Sequence, residues 1–161
     1  MAKSDQKIQH MWSLICERAV VDSTSNNVSL TNVLEEVQIV PSPEIEFGVG
    51  EKDKKLIVIP MVFNLVSTVK KLTASEYNGE FQISVVDPDD KVLQVNANAF
   101  KIPAYNTRFR TIASIQGFPV TVPGEYKFLI KAKENTQKEF TKLGEVLFEV
   151  KIALPVASKP K

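Results

Sequence analysis

Apolar and charged side chains alternate along residues 124–133, directly after a Pro-Gly turn. One face of this segment collects the apolar side chains of Tyr126, Phe128, Ile130 and Ala132. The other face carries one glutamate and three lysines, with Leu129 as its exception. Because successive side chains of a β-strand point to opposite faces, this period of two predicts an antiparallel strand with one buried face.

The same alternation recurs along most of the chain and predicts further strands. They cover residues 8–22, 28–40, 55–70, 81–85, 93–99, 107–118 and 145–152. Turn-forming residues separate many of them. The pattern predicts an all-β fold: a single antiparallel β-sandwich of about eight strands, immunoglobulin-like in general architecture, with flexible tails. The sandwich domain is expected at 8–153 and the tails at 1–7 and 154–161.

Segment 32–39 allows two interpretations. Asn32 followed by Glu35 fits a helix-capping box, and the apolar residues that follow fit one helical stripe. Just before it, however, Val28 and Leu30 alternate with polar neighbours, as in a strand. We favour a strand and keep a short helix as the alternative.

The predicted core collects large apolar side chains from the inward faces. We expect these to be mostly buried: Trp12, Leu14, Phe63, Phe81, Ile83, Val95, Tyr126, Phe128, Phe148 and Val150. Segment 55–70 is apolar on both faces but contains Pro60, which cannot donate a backbone hydrogen bond. We therefore expect a bulge there, or a strand that switches sheets. Lys70 and Lys71 are interpreted as solvated charges at the end of this strand.

The composition offers little for catalysis or cofactor binding. Twenty basic and 19 acidic side chains leave a net charge of +1, without the basic excess typical of nucleic-acid-binding proteins. His10 and Cys16 are the only residues of their types, and on one strand face they would lie about 20 Å apart, too far to act together. The six glycines form no phosphate-binding loop. We expect a buried, inert Cys16 and a protein that is not an enzyme and has no cofactor.

The apolar stretches of the chain are short. The first residues are polar and lack the apolar core of a signal peptide. The longest apolar stretch, 56–66, is too short to span a bilayer. These features predict a cytoplasmic protein without membrane contact.

Three aspartates, Asp87, Asp89 and Asp90, lie in one predicted turn. Carboxylate-rich loops can bind calcium. The sequence Asp-Pro-Asp-Asp is also ordinary β-turn chemistry, which is the interpretation we favour. The alternative is a calcium-dependent lipid- or ligand-binding domain that uses this loop.

The best candidate for a binding surface is the polar row of segment 93–99 with the loop after it. Asn96 and Asn98 are predicted to point outward and carry no charge that would discourage pairing with another chain. Phe100 ends their row, and Tyr105 lies in the following loop. We predict that these four residues contact a protein partner or a second copy of the chain. The competing interpretation is a row that is merely solvated.

Two stretches resemble an uncharacterised family of small bacterial β-sandwich proteins. The first is Cys16 and Asp22 followed by residues 29–37, and the second is Phe118 followed by residues 123–128. The second stretch is also similar to immunoglobulin-like sandwiches, in which a tyrosine follows a turn and enters a late strand. The resemblance implies a fold and favours a strand at 32–39, but it implies no activity and no site. Together with the missing catalytic chemistry, it leads to the hypothesis of a non-catalytic binding or structural module, such as a subunit of a bacterial or phage assembly.

Overall fold

The computed structural model describes residues 6–40 and 56–153. Within these residues there are nine strands: β1 (Ile8–Val21), β2 (Val28–Val33), β3 (Glu36–Ile39), β4 (Ile57–Lys71), β5 (Tyr77–Val86), β6 (Val92–Ile102), β7 (Arg108–Val120), β8 (Gly124–Glu134) and β9 (Thr141–Ile152). The predicted tails fall mostly outside the described residues, although Lys7 is described and forms an ion pair with Glu134 at 2.8 Å. In the same two ranges, no helix is long and apolar enough to cross a bilayer.

The strands form two sheets, in the orders β2-β1-β4-β7 and β3-β9-β8-β5-β6. Neighbouring strands are antiparallel except for β3 and β9, which run parallel. The predicted β-sandwich of immunoglobulin-like architecture is therefore confirmed, with one parallel pair in addition.

The predicted strand at 28–40 is divided into β2 and β3, which belong to different sheets. Asn32 has a left-handed backbone (φ 50°), and the chain bends at Glu35. The Leu34 N–H donates to the Ile15 carbonyl of β1, and the Glu35 carbonyl accepts from Glu149 of β9. Segment 32–39 thus crosses from the edge of one sheet to the edge of the other and contains no helix.

Four phenylalanines form the centre of the core. Phe63, Phe118, Phe128 and Phe148 are fully buried, and their ring centres lie 5.4–6.2 Å apart. They come from β4, β7, β8 and β9, so the two sheets meet at this cluster. Burial is confirmed for most of the predicted core: Phe63, Phe81, Ile83, Tyr126, Phe128, Phe148 and Val150.

The prediction of burial is wrong for Trp12, Leu14 and Val95. Trp12 is only partly buried, Leu14 is 39% exposed and Val95 is 50% exposed. Strand β1 is apolar on both faces, so its alternation could not identify the inner face. A bulge between His10 and Trp12 also shifts the alternation, and Ile15 occupies the core position instead.

Pro60 lies at a bulge, one of the two arrangements predicted for it. The register between β4 and β7 shifts between Ile59 and Val62, where Gly117 has a φ of 77°. Pairing of β4 with β1 reaches only as far as Asn64. The missing N–H of Pro60 therefore interrupts no ladder with β1.

Tyr126 forms a tyrosine corner of the kind typical of immunoglobulin-like sandwiches. Its hydroxyl donates to the Val122 carbonyl at 2.7 Å and accepts from the Thr121 N–H at 2.9 Å. The Thr121 hydroxyl donates in turn to Asp87 Oδ2 at 2.8 Å. These bonds connect the β5–β6 turn to the β7–β8 turn at one end of the sandwich.

Candidate functional site

A cleft opens along the side of the sandwich where the two sheets end in β6 and β7. These strands are edges of different sheets and do not pair with each other. The space between them has a volume of about 690 Å³. This volume lies within the range of about 300–1,000 Å³ that is usual for ligand sites.

The inner face of β6 is polar, which reverses the predicted orientation of this strand. Asn98 is paired with Phe81 and Asn96 with Ile83, and both partners on β5 are core residues. Directly opposite residues of paired strands point to the same face. Asn96 and Asn98 therefore point into the cleft, and Val95 points outward. A polar inner row is tolerated here because the row borders an open cleft rather than a closed core.

The cleft has polar walls above an apolar floor, and no charged side chain of the described residues lines it. Its walls carry amides and hydroxyls from Gln94, Asn96, Asn98, Thr111, Ser114 and Gln116. The floor is formed by Phe81, Ile83 and Ile115, which are 5–7% exposed. Side-chain amides both donate and accept hydrogen bonds. The cleft is therefore suited to a neutral ligand with its own donors and acceptors.

Thr111 contributes a buried hydroxyl to the β7 wall. Among the described residues, its Oγ1 has no hydrogen-bond partner. Its neighbour on β4 is Ser67, which accepts a hydrogen bond from Ser13 at 2.7 Å, and Ser13 is bonded to His10 Nε2 at 2.8 Å. A buried hydroxyl without a partner is uncommon in proteins. It lies behind the lining of the β7 wall rather than on its surface.

His10 and Cys16 were predicted to share a strand face, and this is wrong. The bulge at Met11 places His10 opposite the core residue Val69, whereas Cys16 lies on the outer face of β1, opposite Asn64. Burial lowers the pKa of the His10 imidazole and raises the pKa of the Cys16 thiol. Neither residue lines the cleft, and the predicted burial of Cys16 is confirmed.

Aromatic rings close the cleft at the end nearest the β6–β7 loop. Phe100 stacks on Phe109 with ring centres 4.8 Å apart. It also contacts Tyr77 at 5.4 Å and Phe81 at 6.0 Å. Phe100 thus joins the inner faces of β6 and β7 and limits the length of the cleft.

Tyr105 lies in the β6–β7 loop beyond this closed end. It is 85% exposed and does not line the cleft. The loop is held by Lys71, whose ammonium donates to the carbonyls of Pro103 at 2.8 Å and Ala104 at 3.1 Å, and to that of Ser75 at 2.8 Å. The interpretation of Lys71 as a solvated strand end is wrong, because three carbonyls satisfy its three N–H groups and allow its burial.

The aspartate turn is integrated into the fold. Asp87 is buried, and its Oδ1 accepts from two backbone N–H groups of its own turn at 2.9 and 3.0 Å, while Oδ2 accepts from Thr121. Asp89 is exposed, and Asp90 forms an ion pair with Lys127 at 2.9 Å. In the described parts of the chain, no three His, Cys, Asp or Glu side chains are grouped to hold a metal. This geometry supports the turn interpretation.

Sequence reasoning found the β6 wall of the cleft and missed the β7 wall. The residues of β7, including Thr111, were predicted only as part of a strand at 107–118. The signal that could have placed them is the short connection 103–107, because strands joined by a few residues are usually neighbours in space. Of the four residues predicted to contact a partner, Asn96, Asn98 and Phe100 line the cleft and Tyr105 stands outside it, and the contact itself stays a prediction.

Comparison with known proteins supports the fold. No protein-family model matches the chain, and no curated protein is related to it in sequence. The crystal structure of the C-terminal domain of Wzt is similar, with a TM-score of 0.51 and 10% identity over 94% of this chain and 78% of that one. An immunoglobulin-like protein from Pseudomonas aeruginosa matches over 92% of this chain and 99% of that one, with a TM-score of 0.36 and 13% identity.

A third structure matches this chain over only part of its own length. The Pseudomonas fluorescens alkylpurine DNA glycosylase AlkC matches with a TM-score of 0.48 and 10% identity, over 90% of this chain. This chain spans only 30% of the length of that enzyme. At such low identities the likeness concerns the fold alone. The likeness to the C-terminal domain of Wzt therefore concerns the fold, and no family is assigned to the chain.

Proposed function

We propose that the protein is a non-catalytic binding module that holds a segment of a protein partner, or of a second copy, in the cleft between β6 and β7. One observation carries this proposal: within residues 6–40 and 56–153, an uncharged cleft is flanked by two long sheet edges with which no strand pairs. Strand β6 has 11 residues and β7 has 13. The unpaired N–H and C=O groups of such edges are recognised by extended peptide segments.

The chemistry of the lining favours binding over catalysis. Amides, hydroxyls and hydrocarbon groups line the cleft, and none of them is a usual general acid or base. His10, the single histidine, is bonded to Ser13 of its own strand, β1, and lies outside the lining. A subunit of a larger bacterial or phage assembly is the setting that we propose for such a contact.

The proposal can be tested by photocrosslinking from the two faces of β6. A diazirine amino acid replaces Asn98, which points into the cleft, in one variant. In the matched control it replaces Ala97, which is exposed on the opposite face. We expect irradiation of cells that express the protein to give a protein adduct from position 98 and none from position 97. An adduct of twice the chain's mass would identify a second copy.

Two results would contradict the proposal. One is the absence of any protein adduct from position 98 in a variant whose melting temperature equals that of the wild type. The other is an equal yield of adducts from positions 97 and 98, because contact would then not depend on the cleft.

A further inference from the structure

We infer that the partner segment binds as an additional β-strand along β6 and extends the five-stranded sheet across the mouth of the cleft. This inference rests on the proposed function and adds how the partner is recognised. It requires a free edge on β6, a partner without charge, and side chains that complement the inner row of β6.

The edge of β6 is the least protected long edge of the sandwich. Natural proteins shield exposed edges with charges, prolines, bulges or a covering segment. Strand β7 has Arg108 and Arg110 at its start and Pro119 near its end. Strand β3 has four residues, and β2 has six. A partner strand therefore finds its longest unobstructed template on β6.

Strand β6 lacks these protective features along most of its length. Its register shift with β5 is confined to its first residues, next to Val92. From Gln94 to Phe100 it contains no charged residue and no proline. Its single charge, Lys101, lies near the end and is paired with Glu76 at 2.8 Å. Among the described residues, no strand pairs with its second edge. A strand from a partner would cover it in the manner of strand addition.

The length and charge of the cleft define the partner segment. Residues 94–100 span about 23 Å in extended form, which matches about seven residues of a partner strand. Burying an unpaired charge against the uncharged walls would be costly, so the segment is expected to be neutral. Its inward side chains would lie beside Asn96 and Asn98, where threonine, serine or asparagine can form cross-strand hydrogen bonds. Thr111 and Ser114 of β7 line the opposite wall of the same space.

Strand addition makes a prediction that other binding modes do not make. Main-chain hydrogen bonds provide the affinity, so a generic neutral peptide can act as a probe. In a bound strand, only alternate N–H groups point towards β6, and the others point away. Methylation of one alternate set of peptide nitrogens should therefore abolish binding, and methylation of the other set should not.

The experiment uses three forms of one peptide and the isotope-labelled full chain. The probe is an acetylated, amidated nine-residue peptide whose seven central residues are neutral, with threonine and valine in alternation. A lysine at each end gives solubility and lies beyond the uncharged stretch 94–100. We expect the unmodified probe to shift the backbone amide resonances of β6 and β7 and to slow hydrogen exchange on β6. One N-methylated form should bind at least about tenfold more weakly, and the other should bind like the parent, because each lost hydrogen bond weakens binding.

A pair of variants locates the contact. Asn96→Lys/Asn98→Lys adds charge inside the cleft and should abolish peptide binding. The matched control, Val95→Lys/Ala97→Lys, adds the same charge to the opposite face of β6, outside the lining of the cleft, and should retain peptide binding. The N-methylated peptides test the inference on the wild-type chain even if the first variant fails to fold.

The inference is overturned if both N-methylated peptides bind equally, or if millimolar peptide shifts no amide of β6 or β7. It is also overturned if maltohexaose, a neutral oligosaccharide, shifts the cleft amides and the peptide does not. These outcomes are distinct from failure of the proposed function. A protein adduct from position 98 without the methylation pattern would refute strand addition alone, whereas the absence of that adduct refutes the proposed function.

Discussion

The tyrosine corner can be tested by the removal of a single oxygen atom. Tyr126→Phe keeps the buried ring, which lies 5.3 Å from the ring of Phe118, and removes the hydroxyl. That hydroxyl donates to the Val122 carbonyl at 2.7 Å and accepts from the Thr121 N–H at 2.9 Å. It also accepts from the Val122 N–H at 3.2 Å. The substitution therefore leaves one carbonyl and two N–H groups without these partners.

The expected loss of stability follows from the backbone groups that lose the Tyr126 hydroxyl as a partner. An intramolecular hydrogen bond contributes about 0.5–1.5 kcal/mol, and a buried polar group left unsatisfied costs about 1–3 kcal/mol. Val122 is only partly buried, so water can compensate part of its loss. We expect the free energy of unfolding to fall by about 2–3 kcal/mol. For a chain of this length, that corresponds to a fall in melting temperature of about 4–12 °C.

Urea unfolding, monitored by circular dichroism, measures this loss. The slope of the free energy of unfolding against urea concentration should be unchanged, because both proteins expose the same surface on unfolding. The matched control is Tyr105→Phe, which removes the same atom from a side chain that is 85% exposed. It should change the free energy of unfolding by less than about 0.5 kcal/mol. A loss below about 0.5 kcal/mol for Tyr126→Phe, or equal losses for both variants, would refute the reasoning.

Three further predictions concern the core, the histidine and the aspartate turn. Phe128→Ala empties the centre of the phenylalanine cluster and should cost about 3–5 kcal/mol in urea unfolding; a loss below about 1 kcal/mol would show that the ring is not in the core. Burial lowers the pKa of His10 below its ordinary value of 6.5, so the unfolded chain takes up the proton more readily. The melting temperature should therefore fall as the pH decreases from about 7.5 to about 5.5, a range in which carboxylates stay ionised. The variant His10→Gln should lack the part of this fall that His10 causes. Equal falls in the wild type and the variant would contradict the prediction. Millimolar calcium should leave the melting temperature unchanged, because Asp87 is already hydrogen-bonded; a rise that Asp89→Ala abolishes would restore the calcium alternative.

The alternation of apolar and charged residues was sufficient to predict the inner face of a strand when its two faces differ chemically. In β8, Tyr126 and Phe128 point inward while Lys127 points outward, as predicted. In β1 both faces are apolar, so neither alternation nor composition could show that Ile15 rather than Leu14 enters the core. Local patterns state which residues share a face, and only packing against a second sheet decides which face is inside.

The candidate site was predictable only in part, for a related reason. Asn96 and Asn98 appeared to point outward because polar side chains usually face water. They do face water, but across a cleft between two sheet edges, and the distance between those edges is a property of the topology. Lys71 was unpredictable in the same way, since its three carbonyl partners come from two loops that meet only in the folded chain.

The crossing from β2 to β3 has a consequence for the order in which the chain folds. Strand β3 joins its sheet through β9, and its Glu36–Lys151 ion pair connects residues 115 positions apart in the chain. Closing so long a loop is entropically costly, and only four residues of β3 contribute to the pairing. We expect β3 to dock last, after β8 and β9 have formed their hairpin. Until it docks, the outer edge of β9 is unpaired, so a newly made chain passes through a period in which it can pair with a neighbouring copy at this edge.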